Sequence, residues 1–324
     1  MSRVVVTGAS GFVGQHLVAL LGGNPGVVPY SLSRTRSLTS RRDSTSNGFP
    51  EFWGDLTNTS FIDDTMREIR PDVVYHLAAQ PSVAESWRDP AGTLVNNLLA
   101  QVNLLEAVMK WAPRARVIIF GSAEEYGRVR PDDLLLNEDT PFRPESPYAA
   151  SKVAQDILGL QYYLGRELDC VRVRPFNLIG PGQSDRFAIA SFARQIAEAE
   201  RGSRPPIVSV GNLEARRDFT DVRDAVEAYR LLADRGRSGE VYNVGGGGVH
   251  AVGDILAEMV RRAKIRIEVR VDPARFRPND TPVLAPNLDR LRQATNWNPV
   301  IPLERTLEDT LDFWRRSLEW IGQA

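Results

Sequence analysis

The most constraining feature of this 324-residue chain lies in its first fourteen positions. A β-branched run, Val4-Val5-Val6, leads directly into Thr7-Gly8-Ala9-Ser10-Gly11-Phe12-Val13-Gly14 and then into a segment of helical period. A glycine-rich turn between a first strand and a helix is the arrangement in which backbone N–H groups at the helix start can hold a pyrophosphate. Gly8 permits the tight turn, Gly11 lets the backbone approach the phosphates, and Gly14 lets helix and strand pack closely. Three glycines alone say little. Their place directly behind a strand that begins at residue 3, with a βαβ pattern following, points to dinucleotide binding.

Short apolar runs at 4–6, 73–77, 117–120 and 171–173 alternate with helix-length segments at 12–21, 61–70, 93–111 and 149–168. Near-continuous apolar strands of this kind belong to a parallel sheet covered on both faces. The spacing therefore predicts an α/β chain, with a doubly wound parallel Rossmann sheet and a smaller C-terminal α/β domain. The cofactor-binding domain is expected at 1–175 and a mainly substrate-binding domain at 176–324. Beyond Pro175, Gly, Pro and Arg become frequent and the elements lose their regular spacing. Strand-like runs at 207–210 and 241–244 flank a helical segment at 222–235, so the chain is expected to return to the first sheet around 212–245. Near the end, Leu303, Leu307, Leu311, Trp314 and Leu318 recur at steps of three and four, a helix face that reads as core. The sequon Asn58-Thr59-Ser60 reads as a turn into a helix.

Composition excludes more than it assigns. Apolar residues make up 42% and charged residues 25%, an ordinary globular mix, and no run of 18 uncharged apolar residues could span a bilayer. The N-terminus lacks the apolar stretch and cleavage site of a secretory signal and reads as the first strand of a cytoplasmic protein. With 40 Lys plus Arg against 41 Asp plus Glu, no global field would attract nucleic acid or an anionic membrane, and neither partner is expected. An anionic ligand must then be held by local arginines. One cysteine, Cys170, forbids an internal disulfide, and His16, His76 and His250 lack metal-ligand spacing, so no metal is expected.

Cofactor choice turns on the end of the second strand, where an acidic side chain would bind the adenosine ribose diol. The stretch 27–42 contains no Asp or Glu and offers Ser33, Arg34 and Arg36 instead. A guanidinium pairs bidentately with phosphate, which favours NADP(H), with NAD(H) as the alternative; the plain alternative is that these arginines are solvated loop charges. Asp55-Leu56, after a presumed third strand at 51–54, is placed to meet the adenine amino group. Tyr148 and Lys152 are four apart at a helix start and share a face, while Ser122 ends the fifth strand at the carboxyl edge where open α/β sheets bind ligands. Together they make a proton-transfer site beside a nicotinamide. A phenol titrates near pH ~10, and lowering it by about three units requires roughly 4 kcal/mol. Lys152 and the cationic oxidised nicotinamide are expected to supply that.

At these residues the chain resembles the extended short-chain dehydrogenase/reductase family. The likeness is carried by TGASGFVG at 7–14, GDL at 54–56, HLAA at 76–79, GSAEEYG at 121–127, SPYAASK at 146–152, RPFNLIGPGQ at 174–183 and WNPVIPLERTL at 297–307. Within the family, GNLEARRDFTDVRD at 211–224 looks like the branch acting on GDP-linked 6-deoxyhexoses. The resemblance implies NADPH-dependent reduction of the C4 ketone of GDP-4-keto-6-deoxy-D-mannose, giving GDP-D-rhamnose or its C4 epimer. It implies cofactor contacts from Ser10, Phe12 and Val13, from Leu77, Ala78, Ala79 and Gln80, and from Asn97 and Pro175, beside those already named. It implies that Asn177, Arg217 and Arg277 hold the diphosphate, that Asn212 meets the guanine or its ribose, that Val210 contacts the substrate, and that Ser122, Tyr148, Lys152 and Glu124 surround the reacting sugar.

The related GDP-mannose 4,6-dehydratases usually read TGQDG in the first turn and NHESPRRG after the sixth strand, where this chain has TGASG and NLIGPGQ. These departures favour a reductase. Against that, Glu124 sits where the dehydratases carry a carboxylate acting at C5 and C6, and Ala123 replaces a hydroxyl often found between. Glu124 thus stays open between a substrate-hydroxyl acceptor, a remnant of shared ancestry and a structural carboxylate; Glu125 reads as structural. The rival activities are a 4,6-dehydratase, which regenerates its cofactor, and a nucleotide-sugar 4-epimerase. A non-catalytic NADP-binding sensor is a further alternative, against which the intact Ser122, Tyr148 and Lys152 speak. In the family the helices at 93–111 and 149–168 form a dimer interface. Leu94, Leu98, Leu105, Ile157 and Tyr162 exceed what one sheet face needs, so a homodimer is expected.

Overall fold

A computed structural model of the chain describes residues 1–34, 48–130, 135–276 and 283–321. Its first half runs β1 (Ser2–Thr7), α1 (Phe12–Gly22), β2 (Val27–Ser33), β3 (Glu51–Trp53), α2 (Thr59–Ile69), β4 (Val73–His76), α3 (Val83–Arg88), α4 (Pro90–Trp111), β5 (Arg116–Phe120), α5 (Pro147–Arg166) and β6 (Cys170–Pro175). There follow β7 (Asn177–Ile179), α6 (Ala188–Glu200), β8 (Ile207–Val210), β9 (Arg216–Asp221), α7 (Val222–Arg235), β10 (Val241–Val244), β11 (Val249–Ala251), α8 (Val252–Arg261), β12 (Glu268–Val271), β13 (Val283–Leu284), α9 (Asp289–Thr295) and α10 (Leu303–Ile321).

Helix boundaries follow local chemistry. Asn58 caps α2 by accepting the Phe61 N–H, so the sequon is the turn into a helix that its pattern suggested. Asp89 and Ser146 cap α4 and α5, each followed by a proline at the first helical position. That is why both helices begin two or three residues before their apolar periodicity does. Strand β1 is buried on both faces, as a central parallel strand must be. Val4 and Val6 pack with Leu17, Val18 and Tyr229 on one side of the sheet, and Val5 packs with Leu104, Leu105 and Val108 on the other.

The central sheet has seven parallel strands in the order β10-β6-β5-β4-β1-β2-β3, so all their carboxyl ends lie along one edge. The chain returns to it through α7 and β10, which pairs with β6. The other strand expected near this return, β8, instead pairs with β12 in a separate two-stranded sheet. A third sheet gathers β7, β11 and β13 around β9. Leu307 and Leu311 of α10 are buried with Phe192, Ile196, Leu256 and Met259 in a third core, and Leu303 and Trp314 pack against it, as the apolar stripe indicated.

Two of the residues expected at a dimer face are used within the chain instead. Leu105 is fully buried under α4, and the Tyr162 hydroxyl donates to Glu106 Oε1 at 2.6 Å. Leu94 and Leu98 are half-buried. The large apolar side chains exposed on these helices are Val95 and Leu99 on α4 and Ile157 and Leu164 on α5. Among the described residues no helix is long and apolar enough to cross a membrane, and no group of three His, Cys, Asp or Glu residues is placed to hold a metal ion.

Candidate active site

The glycine turn sits at the carboxyl edge of β1. Gly8 has φ +68°, a left-handed conformation, and a Cβ there would lie 2.9 Å from Ala78 N. A Cβ on Gly14 would stand 2.3 Å from Gly8 O and 2.7 Å from Ala9 Cα, so the close approach of α1 to the turn needs a bare backbone. Gly11 heads α1 without a side-chain cap, and no acidic residue occupies the first turn, which includes Phe12 and Val13. The positive end of α1 is therefore directed at the sheet edge with its amides unclaimed by a capping side chain, which fits a dinucleotide pyrophosphate.

Neighbouring segments brace the turn. Ser10 N–H donates to Ser33 Oγ at 3.0 Å, and Ala78 N–H donates to Thr7 Oγ1 at 3.1 Å, which sets the 77–79 segment against β1. Ser33 is thus a brace as well as a candidate contact. Arg34 is exposed beside it, and Arg36 lies outside the described residues. Asp55 Oδ1 accepts the amide and the hydroxyl of Thr57, both at 2.8 Å; these bonds, with the Arg34 charge, hold the carboxyl below its ordinary range despite some burial. The carbonyl of the neighbouring Leu56, itself buried, accepts from Asn103 Nδ2 at 3.0 Å.

Ser122 follows β5 after Gly121, Tyr148 is the second residue of α5, and Lys152 stands one turn further on. The structure brings the Ser122 hydroxyl within interacting range of the Tyr148 phenol, and Ser122 Oγ also accepts the Glu124 N–H at 3.2 Å. Burial pushes the Tyr148 phenol well above its usual range, the Ser122 hydroxyl opposing and the charges of Glu124 and Glu125 adding to the rise. Lys152 is buried, and its Nζ donates to Gln155 Oε1 at 2.9 Å. Burial takes the ammonium down to about 8, against the pull of Glu125 and Asp156. In the chain by itself the ammonium is engaged with Gln155 and faces carboxylates, and burial outweighs any lowering of the half-buried Tyr148 phenol. A phenol that keeps its proton at neutral pH is in the form of a proton donor.

Around this group, Gln80 N–H donates to Asn97 Oδ1 at 2.8 Å, Asn97 Nδ2 to Ser151 Oγ at 2.9 Å, and Gln155 Nε2 to Asn97 O at 3.0 Å. Asn97 is fully buried and joins α4 to α5, whereas Gln80 Nε2 is a buried donor without a hydrogen-bond partner among the described residues. His76, at the end of β4, has Nδ1 3.0 Å from Thr7 Oγ1; burial, with the Lys152 charge, lowers it to about 3 and keeps it neutral. Glu124 is half-buried in a 3-10 turn over 123–125, within electrostatic reach of the phenol.

The residues assigned to the nucleotide sugar lie mostly on the smaller sheets. Asn177 of β7 donates from Nδ2 to Asp218 O at 3.2 Å, and Arg217, half-buried on β9, donates from Nη1 to Arg216 O at 2.9 Å. Asn212 Oδ1 accepts the Glu214 N–H at 2.9 Å in the turn after β8. Val210 is fully buried in the third core, so this position can offer a ligand only its backbone. Pro175 ends β6 half-buried at the carboxyl edge, and Arg277 lies outside the described residues. Sequence reasoning missed Gln155 as the Lys152 acceptor. Its place three residues after Lys152, on the same helix face, was the available signal.

A family profile described as GDP-mannose 4,6 dehydratase matches residues 5–310. The chain is 36% identical to GDP-6-deoxy-D-mannose reductase of Pseudomonas aeruginosa, covering 96% of this chain and 97% of that protein. Among solved structures, RMD from Pseudomonas aeruginosa complexed with NADPH superposes with a TM-score of 0.86 at 34% identity, covering 98% of this chain and 100% of that one. The Thermus thermophilus UDP-glucose 4-epimerase in complex with NAD gives 0.85 at 31% identity, covering 97% and 99%.

Proposed function

The chain belongs to the GDP-mannose 4,6-dehydratase family, and on that premise we propose that it reduces the C4 ketone of GDP-4-keto-6-deoxy-D-mannose with NADPH, giving GDP-D-rhamnose. The observation that carries this reading is the placement of Ser122, after β5, within interacting range of the Tyr148 phenol on α5, with Lys152 one turn further along, at the carboxyl edge of the sheet. The 36% identity to a protein named GDP-6-deoxy-D-mannose reductase supports the same choice. NADPH is favoured by the acid-free stretch 27–42 and by the NADPH complex of the Pseudomonas neighbour; NAD is the alternative, since the epimerase neighbour holds it.

When bound, the cofactor supplies a hydride to the ketone carbon. Tyr148 gives its phenolic proton to the C4 oxygen, so one hydride and one proton convert the ketone to the alcohol. Ser122 hydrogen-bonds the same oxygen and orients the phenol. Lys152, buried one turn along α5, offers its remaining N–H groups to the cofactor ribose. The backbone of Gly8, Ser10, Gly11, Phe12 and Val13 takes the pyrophosphate, Arg34 with Arg36 takes the 2′-phosphate, and Asp55 takes the adenine amino group. Asn177, Arg217 and Arg277 hold the GDP diphosphate, with Asn212 near the guanine, so that remote binding energy places the ketone. In this scheme 1–175, with the return through α7 and β10, carries the cofactor, and most of 176–324 carries the nucleotide sugar.

Glu124 keeps a second reading in play, because a half-buried carboxylate beside the phenol is what a 4,6-dehydratase needs for C5 and C6 chemistry. Two incubations separate the readings. A reductase consumes NADPH with the 4-keto substrate and leaves GDP-mannose untouched; conversion of GDP-mannose without net cofactor change would establish the dehydratase. We further propose a homodimer through Val95, Leu99, Ile157 and Leu164, with a monomer mass in solution scattering at micromolar concentration as the contrary result. A cytoplasmic location accompanies this reading, because nucleotide sugars and NADPH are cytoplasmic metabolites.

A further inference from the structure

We infer that Glu125 is a positioning residue for this reaction: its buried carboxylate holds the main chain of Ser122, and through it the Ser122 hydroxyl, in register with the Tyr148 phenol. The inference rests on the proposed roles of Ser122 and Tyr148.

Glu125 is fully buried in the 3-10 turn that leaves β5, and its Oε1 accepts the Ser122 N–H at 2.7 Å. Its other oxygen, Oε2, stands 3.1 Å from Arg174 Nε, on the adjacent strand β6. Arg174, only 3% exposed, is itself fixed by four groups. Its Nε also donates to Asp156 Oδ2 at 3.0 Å, and its Nη1 donates to the Tyr126 hydroxyl at 3.0 Å and to the Glu138 carbonyl at 2.9 Å. Asp156 lies on α5 one turn beyond Lys152 and pairs with Arg172 as well. A continuous tether therefore runs from α5, the helix that carries Tyr148 and Lys152, across β6, and back to the amide of Ser122.

Space as well as charge fixes the carboxylate. A Cβ at Gly121 would come within 2.1 Å of Glu125 Oε1, so the residue before Ser122 is kept bare by the group that anchors it. Burying a carboxylate costs free energy, and an apolar side chain of similar size would fill the same volume without that cost. Burial and the Asp156 charge indeed push the Glu125 carboxyl up, with Arg174 as the main opposing influence. The penalty falls at the one turn whose register decides whether a serine on one element meets a phenol on another. A displacement there of about 1 Å is enough to cost on the order of a hundredfold in rate.

Steady-state reduction by the full-length enzyme, run as a double-variant cycle, tests the inference. Glu125→Val should lower kcat tenfold or more while both KM values stay within about threefold, and in a Ser122→Ala background it should cost less than twofold further. A Glu125→Val kcat within twofold of wild type, a KM rise that matches the kcat loss, or an undiminished effect in the Ser122→Ala background would each overturn it. If Ser122→Ala alone leaves kcat intact, the proposed role of the serine fails first and takes this inference with it, a result distinct from the other three. Should Glu125→Val not fold, Glu125→Gln enters the same cycle. It keeps an acceptor for the amide but turns an NH2 toward Arg174, so the same pattern is expected at threefold or more.

Discussion

Raising the pH from 7 to 9 separates the contributions of Lys152 and Tyr148. Burial brings the Lys152 ammonium down to about 8, while it drives the Tyr148 phenol up beyond the range of the experiment. As pH rises through 8 the ammonium is lost and the phenol keeps its proton, so an alkaline decline belongs to the lysine or to the Glu125 carboxyl beside it, which burial raises to about 8, and not to the tyrosine. The charged fraction falls from about nine-tenths at pH 7 to about one-tenth at pH 9, roughly a tenfold loss in kcat/KM, the parameter that reports the free enzyme. The groups facing Lys152 are Glu125, Asp156 and His76, and His76 stays neutral throughout because burial lowers it to about 3. The assay is the initial rate of NADPH oxidation at limiting nucleotide sugar. Lys152→Arg, whose guanidinium stays charged, should be slower overall yet flat across the same range. A wild-type profile that stays level to pH 9.5, or a decline that persists in Lys152→Arg, would refute the assignment.

Tyr148→Phe is expected to lower kcat by about 10²–10⁴ while NADPH affinity, read by fluorescence titration, stays within about threefold; equal losses in both would remove the phenol from the proton-transfer role. Gly14→Ala would place a methyl 2.3 Å from Gly8 O, so a folded variant should lose NADPH binding in the same titration, and unchanged affinity would contradict the close approach of α1. Arg174→Met leaves Glu125 and Asp156 buried with one cation fewer. Urea melts should show a loss of about 3–5 kcal/mol, against less than about 1 if the network were dispensable.

The sheet and its ligand edge were legible because their signals are local. Apolar runs of β-branched residues and the glycine turn at 7–14 do not depend on distant partners, and β8, α7 and β10 lie where the sequence pattern placed them. Their pairing was less legible. Only the sheet shows that β10 joins β6 while β8 joins β12, since the two runs look alike in sequence. At the site, Ser122, Tyr148 and Lys152 could be gathered from strand ends and helix spacing. The protonation of Tyr148 could not, because the burial that sets it is a tertiary fact. Glu125 was readable as structural, but its hold on Ser122 depends on Arg174 from the neighbouring strand. On α4 and α5, composition pointed to surplus apolar residues but could not sort the buried Leu105 and Tyr162 from the exposed Val95 and Leu164.

The central claim is that a reduced nicotinamide gives its hydride to C4 of the sugar and a tyrosine supplies the proton. The most direct test is to turn over GDP-4-keto-6-deoxy-D-mannose with NADPH deuterated at the transferable position and to locate the label by NMR. One deuterium at C4 for each NADPH oxidised is the expected result. Label at C6, or product formed without NADPH oxidation, would contradict the account.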